Sequence, residues 1–305
     1  MLKGIFPKEL EQVLDKKVGY NSINELRLRE NKPIVLSFGT TKSFLSFDGV
    51  ARHSSDALMA TKTMIEDIIF RASECSIYSV NEQIKKGYIV TKKGIRIGIA
   101  GSVIEEKGVI KTISNFSSIN IRIPHEIRNC SLCCYNDIVS QDVINNTLII
   151  SPPGAGKTTF LRDFVWQLSE RNLTYNVLVL DERGELNIGE KGGLGKYSDV
   201  ISFARKKVGF ENGIRSLSPD IIVTDELNEE DDIDAVIYAA NSGVKILAST
   251  HSDSIESFQN KASFQRLIDL KVFKRFVVLS KREGAGTFEG IYNENFSRIN
   301  SWNRF

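Results

Sequence analysis

The chain has no long apolar run, few cysteines and almost no net charge. None of its apolar stretches approaches the length needed to span a bilayer, which excludes a helical membrane span. The opening Met1-Leu2-Lys3-Gly4-Ile5-Phe6-Pro7 lacks the apolar core of a signal peptide, so a cytoplasmic protein is expected. Lys and Arg total 40 against 38 Asp and Glu, a net charge of +2 that exerts no global pull on nucleic acid or anionic lipid. Four cysteines stand at 75, 130, 133 and 134, with His125 just upstream of the last three. They do not form two C-x-x-C pairs, and adjacent Cys133 and Cys134 suit a helix better than a tetrahedral zinc cage; reduced thiols are expected. Internal repeats and low-complexity tracts are also missing. What remains is an ordinary folded composition, 41% apolar and 26% charged, with 305 residues to fill two cores.

The most informative segment is an apolar run, Thr147-Leu148-Ile149-Ile150, followed by Ser151-Pro152-Pro153-Gly154-Ala155-Gly156-Lys157-Thr158-Thr159 and a helical pattern through Val165. Strand, glycine loop and helix together make a phosphate-binding loop. Triphosphate charge is dense, so its cradle needs converging backbone N–H groups; Gly154 and Gly156 permit the tight backbone, and the helix aims its positive end at the anion. Lys157 is expected to reach the β- and γ-phosphates and the Thr158 hydroxyl to complete a Mg²⁺ shell. The pattern G-x-x-x-x-G-K-[ST] is broken at its first position by Ser151, which tolerates a strand-to-loop turn less well than glycine.

Upstream, the residues read as a mixed α+β domain over 1–123. Asn24–Arg29 alternates apolar with charged, Pro33–Phe38 is its expected neighbour, and Thr61–Ala72 carries an apolar helical face. Gly87–Val90, Gly94–Ala100 and Ile119–Ile123 alternate like antiparallel strands. Pro124 marks the expected boundary, and a helix is expected over Tyr135–Val143. From there to 305 the pattern becomes strand, helix, strand, which predicts a parallel sheet of Leu148–Ile150, Val177–Leu180, Ile221–Thr224, Val244–Ala248 and Phe276–Leu279. A hairpin is expected around Gly284-Ala285-Gly286.

Ligands of such sheets bind beyond the carboxyl ends of the strands. Ile221–Thr224 ends in Asp225-Glu226: the aspartate suits Mg²⁺ and the glutamate can polarise an attacking water, although both could serve only as a helix cap. Val244–Ala248 ends in Ser249-Thr250-His251, placed to read a γ-phosphate. Val177–Leu180 ends in Asp181-Glu182-Arg183-Gly184-Glu185, expected to support the Mg²⁺ shell and phosphates. One strand intervenes in the chain between the loop strand and the Asp-Glu strand, and glutamate directly follows aspartate. That order predicts a RecA-like P-loop NTPase core of the additional-strand class. A guanine-reading Asn/Thr-Lys-x-Asp motif is lacking, so ATP is the expected nucleotide.

These segments resemble the secretion-superfamily ATPases of type II secretion and type IV pili, and most closely their sporulation branch, the stage III sporulation protein AA family. Pro152–Asp163, Val179–Glu185 and Arg215–Glu226 carry the resemblance; Ala248-Ser249-Thr250-His251 is similar to the histidine box and Asp181–Glu185 to the acidic box. Glu25–Arg29 and Ile95–Ile123 also look like that branch. Asp225 departs from the pattern, since many secretion relatives have glycine before the glutamate. The four-cysteine motif and the long C-terminal helical domain of some relatives are missing too.

The resemblance implies a ring homo-oligomer, expected as a hexamer, under an integral-membrane platform on the mother-cell side of a sporulation channel. ATP hydrolysis is expected to turn the N-terminal domain against the motor about Pro124. Catalysis also needs a positive group opposite the leaving phosphate, for which Arg96, Arg122 and Arg215 are candidates. The competing readings are a nucleotide-dependent scaffold with little turnover and a nucleic-acid translocase. The translocase would use Lys85-Lys86, Lys92-Lys93 and Arg205-Lys206-Lys207 as a basic lining, but no aromatic residues interleave them.

Overall fold

The structure, a computed structural model, describes residues 4–299 apart from 40, 92–93, 142, 172 and 189–192. Lys92 and Lys93 therefore lie outside the described residues. The chain divides into two compact units, Met1–His125 with Ile188–Glu190, and Glu126–Asn187 with Lys191–Phe305.

The first unit begins with helix α1 (Lys8–Val13), which continues into a π turn, Leu14–Val18. Strands β1 (Glu25–Arg29), β2 (Val35–Phe38), β3 (Thr41–Ser46) and β4 (Gly49–Ala51) follow, then helices α2 (Lys62–Ala72) and α3 (Asn81–Lys85). Strands β5 (Tyr88–Val90), β6 (Arg96–Glu106) and β7 (Val109–Arg122) complete an antiparallel sheet of order β4-β3-β2-β1-β7-β6-β5. The strict alternation of Glu25–Arg29 buries Leu26 and Leu28 on one face, where they pack with Ile65, Ile68 and Ile69 of α2. Thr61 caps α2, its side chain accepting from the Met64 N–H at 3.1 Å. β6 and β7 run well past the expected strands, because their outer halves pair with each other as a largely exposed hairpin.

In the second unit, the helix expected over Tyr135–Val143 is shorter. Helix α4 covers only Tyr135–Ile138, and Val139–Ser140 (β8) pairs with Val143–Ile144 (β9) about a turn in which Gln141 has φ +49°. Two valines and an isoleucine at this spacing satisfy a two-stranded ladder as readily as a helix. Then come β10 (Thr147–Ser151), α5 (Lys157–Glu170), β11 (Val177–Asp181), β12 (Ser198–Ser202), α6 (Lys206–Leu217), β13 (Ile221–Glu226), α7 (Glu230–Asn241) and β14 (Lys245–His251). Short helices α8 (Ile255–Gln259) and α9 (Gln265–Asp269) precede β15 (Arg275–Ser280), β16 (Thr287–Asn293) and β17 (Arg298–Ile299).

The sheet order is β12-β11-β13-β14-β10-β15-β16-β17, parallel from β12 to β15 and antiparallel beyond. Both faces are covered, which is why its central strands are continuous apolar runs. Ile149, Val179 and Val223 pack against Phe160, Phe164 and Leu168 of α5. Leu148, Leu180 and Ile222 pack on the other face against Phe210, Val236 and Phe258. The strand that separates β10 from β13 in space is β14; β11, which intervenes in the chain, lies on the far side of β13. No helix among the described residues is long and apolar enough to cross a membrane.

Candidate nucleotide site

The carboxyl ends of β10, β11, β13 and β14 bring the expected side chains together. Gly154 and Gly156 have φ +70° and +90°, the left-handed backbone a tight anion loop needs. Ser151 is fully buried as the last residue of β10 and has no such φ, so the serine in place of glycine strains nothing. Its carbonyl accepts from the Ser252 N–H at 3.2 Å, tying the start of the loop to the end of β14. Pro153 and Ala155 complete the turn, and Lys157, Thr158 and Thr159 open α5. Burial pushes the Lys157 ammonium down to about 8, against the pull of Glu226.

Lys157 Nζ meets His251 Nδ1, and His251 Nε2 lies 2.8 Å from Glu226 Oε2. Arg183 Nη1 reaches the same carboxylate oxygen at 3.5 Å. Ser249 and Thr250 do not join this chain of contacts. Their hydroxyls donate to the Asp225 and Leu227 carbonyls at 2.9 and 3.2 Å, locking β14 to the end of β13 and leaving His251 to project into the site.

Asp225 and Glu226 belong to β13 and are not the cap of the next helix; α7 is capped by a Glu229–Asp232 capping box. One extra residue on β13 between Val223 and Glu226 shifts the register against β14, a bulge that re-aims the two neighbouring carboxylates. Neither oxygen of the buried Asp225 carboxylate has a hydrogen-bond partner among the described residues. Burial pushes this group up to about 6, with Asp181 adding to the effect and Lys206 opposing it. A buried carboxylate with no hydrogen bond to either oxygen, paired only with the Lys206 ammonium 3.5 Å from Oδ1 among the described residues, fits a Mg²⁺ ion, which takes one or two protein oxygens and fills the rest of its shell with water and phosphate.

The acidic segment after β11 divides its labour. Asp181, fully buried, accepts from the Glu185 and Asn187 N–H groups, both at 2.8 Å, and so shapes the loop. Glu182 pairs with Lys206 Nζ at 2.7 Å. Glu185 is close enough to Lys157 to favour its charged form.

Lys206 is the site residue that sequence reasoning missed, having been grouped with a basic surface. It is buried at 7% exposure, and its ammonium also lies 3.5 Å from Asp225 and 3.8 Å from Asp232. A lysine at the start of α6 facing two strand-end acids and one in the first turn of α7 gives no sequence signal until the sheet order is known.

Of the arginine candidates, only Arg215 belongs to the same unit as these groups, and among the described residues it makes no ion pair with them. Arg96 stacks 4.2 Å over the Tyr88 ring and Arg122 pairs with Glu25 at 3.2 Å, both within the first unit. Arg215 is exposed in the last turn of α6. It stands about 13 Å along the helix axis from Lys206.

All four cysteines are free, and Cys133 Sγ lies 3.9 Å from Cys134 Sγ. Among the described residues, no cluster of His, Cys, Asp and Glu is arranged to hold a metal by itself.

Sheet order, glycine loop and the Asp-Glu pair define a RecA-like P-loop core of the additional-strand class. Residues 2–299 match the family described as "Sporulation stage III, protein AA", and the chain belongs to that family. It is 32% identical over 302 residues to "Stage III sporulation protein AA" of Bacillus subtilis (strain 168), covering 95% of this chain and 94% of that protein. Its fold is similar to the pilus retraction motor PilT with bound ADP, with a TM-score of 0.57 and 13% identity over 85% of this chain and 74% of the other. The Legionella pneumophila ATPase DotB gives 0.54 and 15%, over 84% and 72%. These likenesses establish the fold of the secretion ATPases.

Proposed function

We propose that this chain is an ATP-hydrolysing ring motor of the secretion-ATPase type that powers assembly or transport at a membrane-embedded sporulation channel. The observation that carries this reading is the pair of carboxylates at the end of β13. One is buried with no hydrogen bond to either oxygen, and the other is tied through His251 to the phosphate-loop lysine.

In this reading Lys157 and the loop amides hold the β/γ-phosphates of ATP, and Thr158 and Asp225 hold Mg²⁺, which neutralises phosphate charge when bound. Glu226 orients the attacking water, His251 couples it to Lys157, and Glu182 and Glu185 support the surrounding charge. Phosphoryl transfer gains most from positioning and charge neutralisation, so the remaining need is a cation opposite the leaving phosphate. Arg96, Arg122 and Arg215 are proposed to offer it between subunits of a hexameric ring. The partners are then further copies of the chain and an integral-membrane platform protein, with the ring at the cytoplasmic face.

A scaffold that binds ATP without turning over is the second reading. The nucleic-acid translocase is disfavoured because Lys206, counted in its basic lining, is committed to Glu182 and Asp225. The deciding experiment measures ATPase rate per subunit against protein concentration, with Glu226→Gln as control. A motor gives a rate that climbs with concentration and vanishes in the control. A flat, near-zero rate with tight Mg·ATP binding supports the scaffold.

A further inference from the structure

The hairpin joining β15 to β16 lies against the phosphate loop. β15 is the parallel neighbour of β10 on the side away from β14, with Ile150 opposite Val278; continued, that register sets Lys281 abreast of Pro153. The Gly286 N–H donates to the Ala155 carbonyl at 3.1 Å. The two backbones are so close that a Cβ on Gly156 would sit 3.3 Å from Gly286 Cα and N. Glycine at 156 is therefore required twice, by its φ and by this approach. The hairpin braces itself: Thr287 Oγ1 accepts from the Glu283 N–H at 3.1 Å and donates to the Gly284 carbonyl at 2.8 Å.

Two cations stand on this hairpin, and they are treated differently. Arg282 is neutralised by Glu283 at 3.4 Å and Glu289 at 3.2 Å. Lys281, although exposed, holds its ammonium against the loop, 3.1 Å from where a Cβ on Gly154 would be. Among the described residues, no side chain or carbonyl pairs with it. A free ammonium against the glycine loop that opens the positive end of α5 is in an unfavourable place unless an anion shares the loop with it.

We propose that the β15–β16 hairpin is a second wall of the phosphate site and that Lys281 binds the polyphosphate of the nucleotide from the side opposite His251. The proposal rests on the ATP reading above and adds a binding residue to it. Its ligand chemistry is a chain of phosphates carrying several negative charges, and the base plays no part.

The test titrates the full-length chain with Mg·ATP, Mg·ADP and AMP by calorimetry, for wild type, Lys281→Ala, Lys281→Arg and Lys157→Ala. Lys281→Ala is expected to weaken ATP about tenfold, ADP less and AMP not at all, as loss of one charge-assisted contact at a solvated site predicts. Lys281→Arg, which keeps the charge and the hairpin, is expected to stay within about threefold of wild type. ATP affinity unchanged in Lys281→Ala, while Lys157→Ala loses binding, overturns the role of Lys281 and leaves the ATP reading standing. Equal weakening of ATP and AMP also overturns it, because the hairpin would then act through its shape. A wild-type chain that binds no nucleotide overturns the ATP reading itself, and this inference with it.

Discussion

Lys157 and His251 meet across the strand ends, Nζ 2.5 Å from Nδ1. An ammonium only donates, so Nδ1 accepts, and the ring proton on Nε2 is donated to Glu226 Oε2 at 2.8 Å. The residue expected to meet phosphate is thus wired to the residue expected to orient water. A polyphosphate at Lys157 would compete with His251 for the same ammonium, so nucleotide arrival is expected to change what holds Glu226. His251→Ala is expected to leave the ATP dissociation constant within about threefold while lowering turnover by roughly 10²-fold, the range of a lost positioning contact to a general base. Parallel loss of binding and turnover would show that His251 only holds the loop together.

Glu226→Gln removes the negative charge and basicity that would draw a proton from water while keeping size, polarity and one acceptor oxygen. Single-turnover hydrolysis should fall by roughly 10²–10⁴-fold with ATP binding retained, whereas Lys157→Ala should abolish binding. Residual turnover near wild type in Glu226→Gln would move the base elsewhere in the acidic segment.

The two perturbed groups predict opposite pH slopes for the stability of the nucleotide- and metal-free chain. Burial raises Asp225 from 3.8 to about 6, so the folded state holds that proton longer than the unfolded chain does. Its contribution to stability is complete below 3.8 and is lost as pH rises through about 6. Burial lowers Lys157 from 10.5 to about 8, so the cost of keeping it charged in the fold is present below about 8 and relieved as pH climbs toward 10.5. Urea unfolding across this range should show the first slope abolished in Asp225→Asn and the second in Lys157→Met. The latter chain should be more stable at neutral pH, by roughly 1 kcal/mol once solvent screening is allowed for.

Asp163 of α5 predicts a purely structural effect. Fully buried, it accepts from the Asn129 and Ser131 N–H groups, each at 2.8 Å, and from the Ser131 hydroxyl at 2.6 Å. Asp163→Ala strands three donors and should cost about 2–4 kcal/mol in urea denaturation. A loss below about 1 kcal/mol would mean that water replaces the carboxylate.

The phosphate loop, the strand ends and the apolar central strands were legible because each is set by local chemistry. Gly154 and Gly156 answer a backbone requirement, and Leu148–Ile150 answers burial on both sides. Other segments were not legible for equally physical reasons. β12, Ser198–Ser202, is a half-exposed edge strand, so its Asp199 and two serines blur any periodicity. Tyr135–Val143 held enough β-branched residues for either helix or ladder, and the turn at Gln141 decided between them.

By itself, then, the sequence determined which groups of this protein could meet a nucleotide, since loop glycines, strand-end acids and the following histidine are fixed by backbone chemistry and short spacing. Tertiary structure decided which of them touch. Sheet order set β14 between β10 and β13, bringing His251 between Lys157 and Glu226, residues far apart in the chain. The same folding carried Lys206 into the carboxylates and the β15–β16 hairpin onto the loop. These pairings depend on long-range strand order, and neighbouring residues in the chain carry no local trace of it.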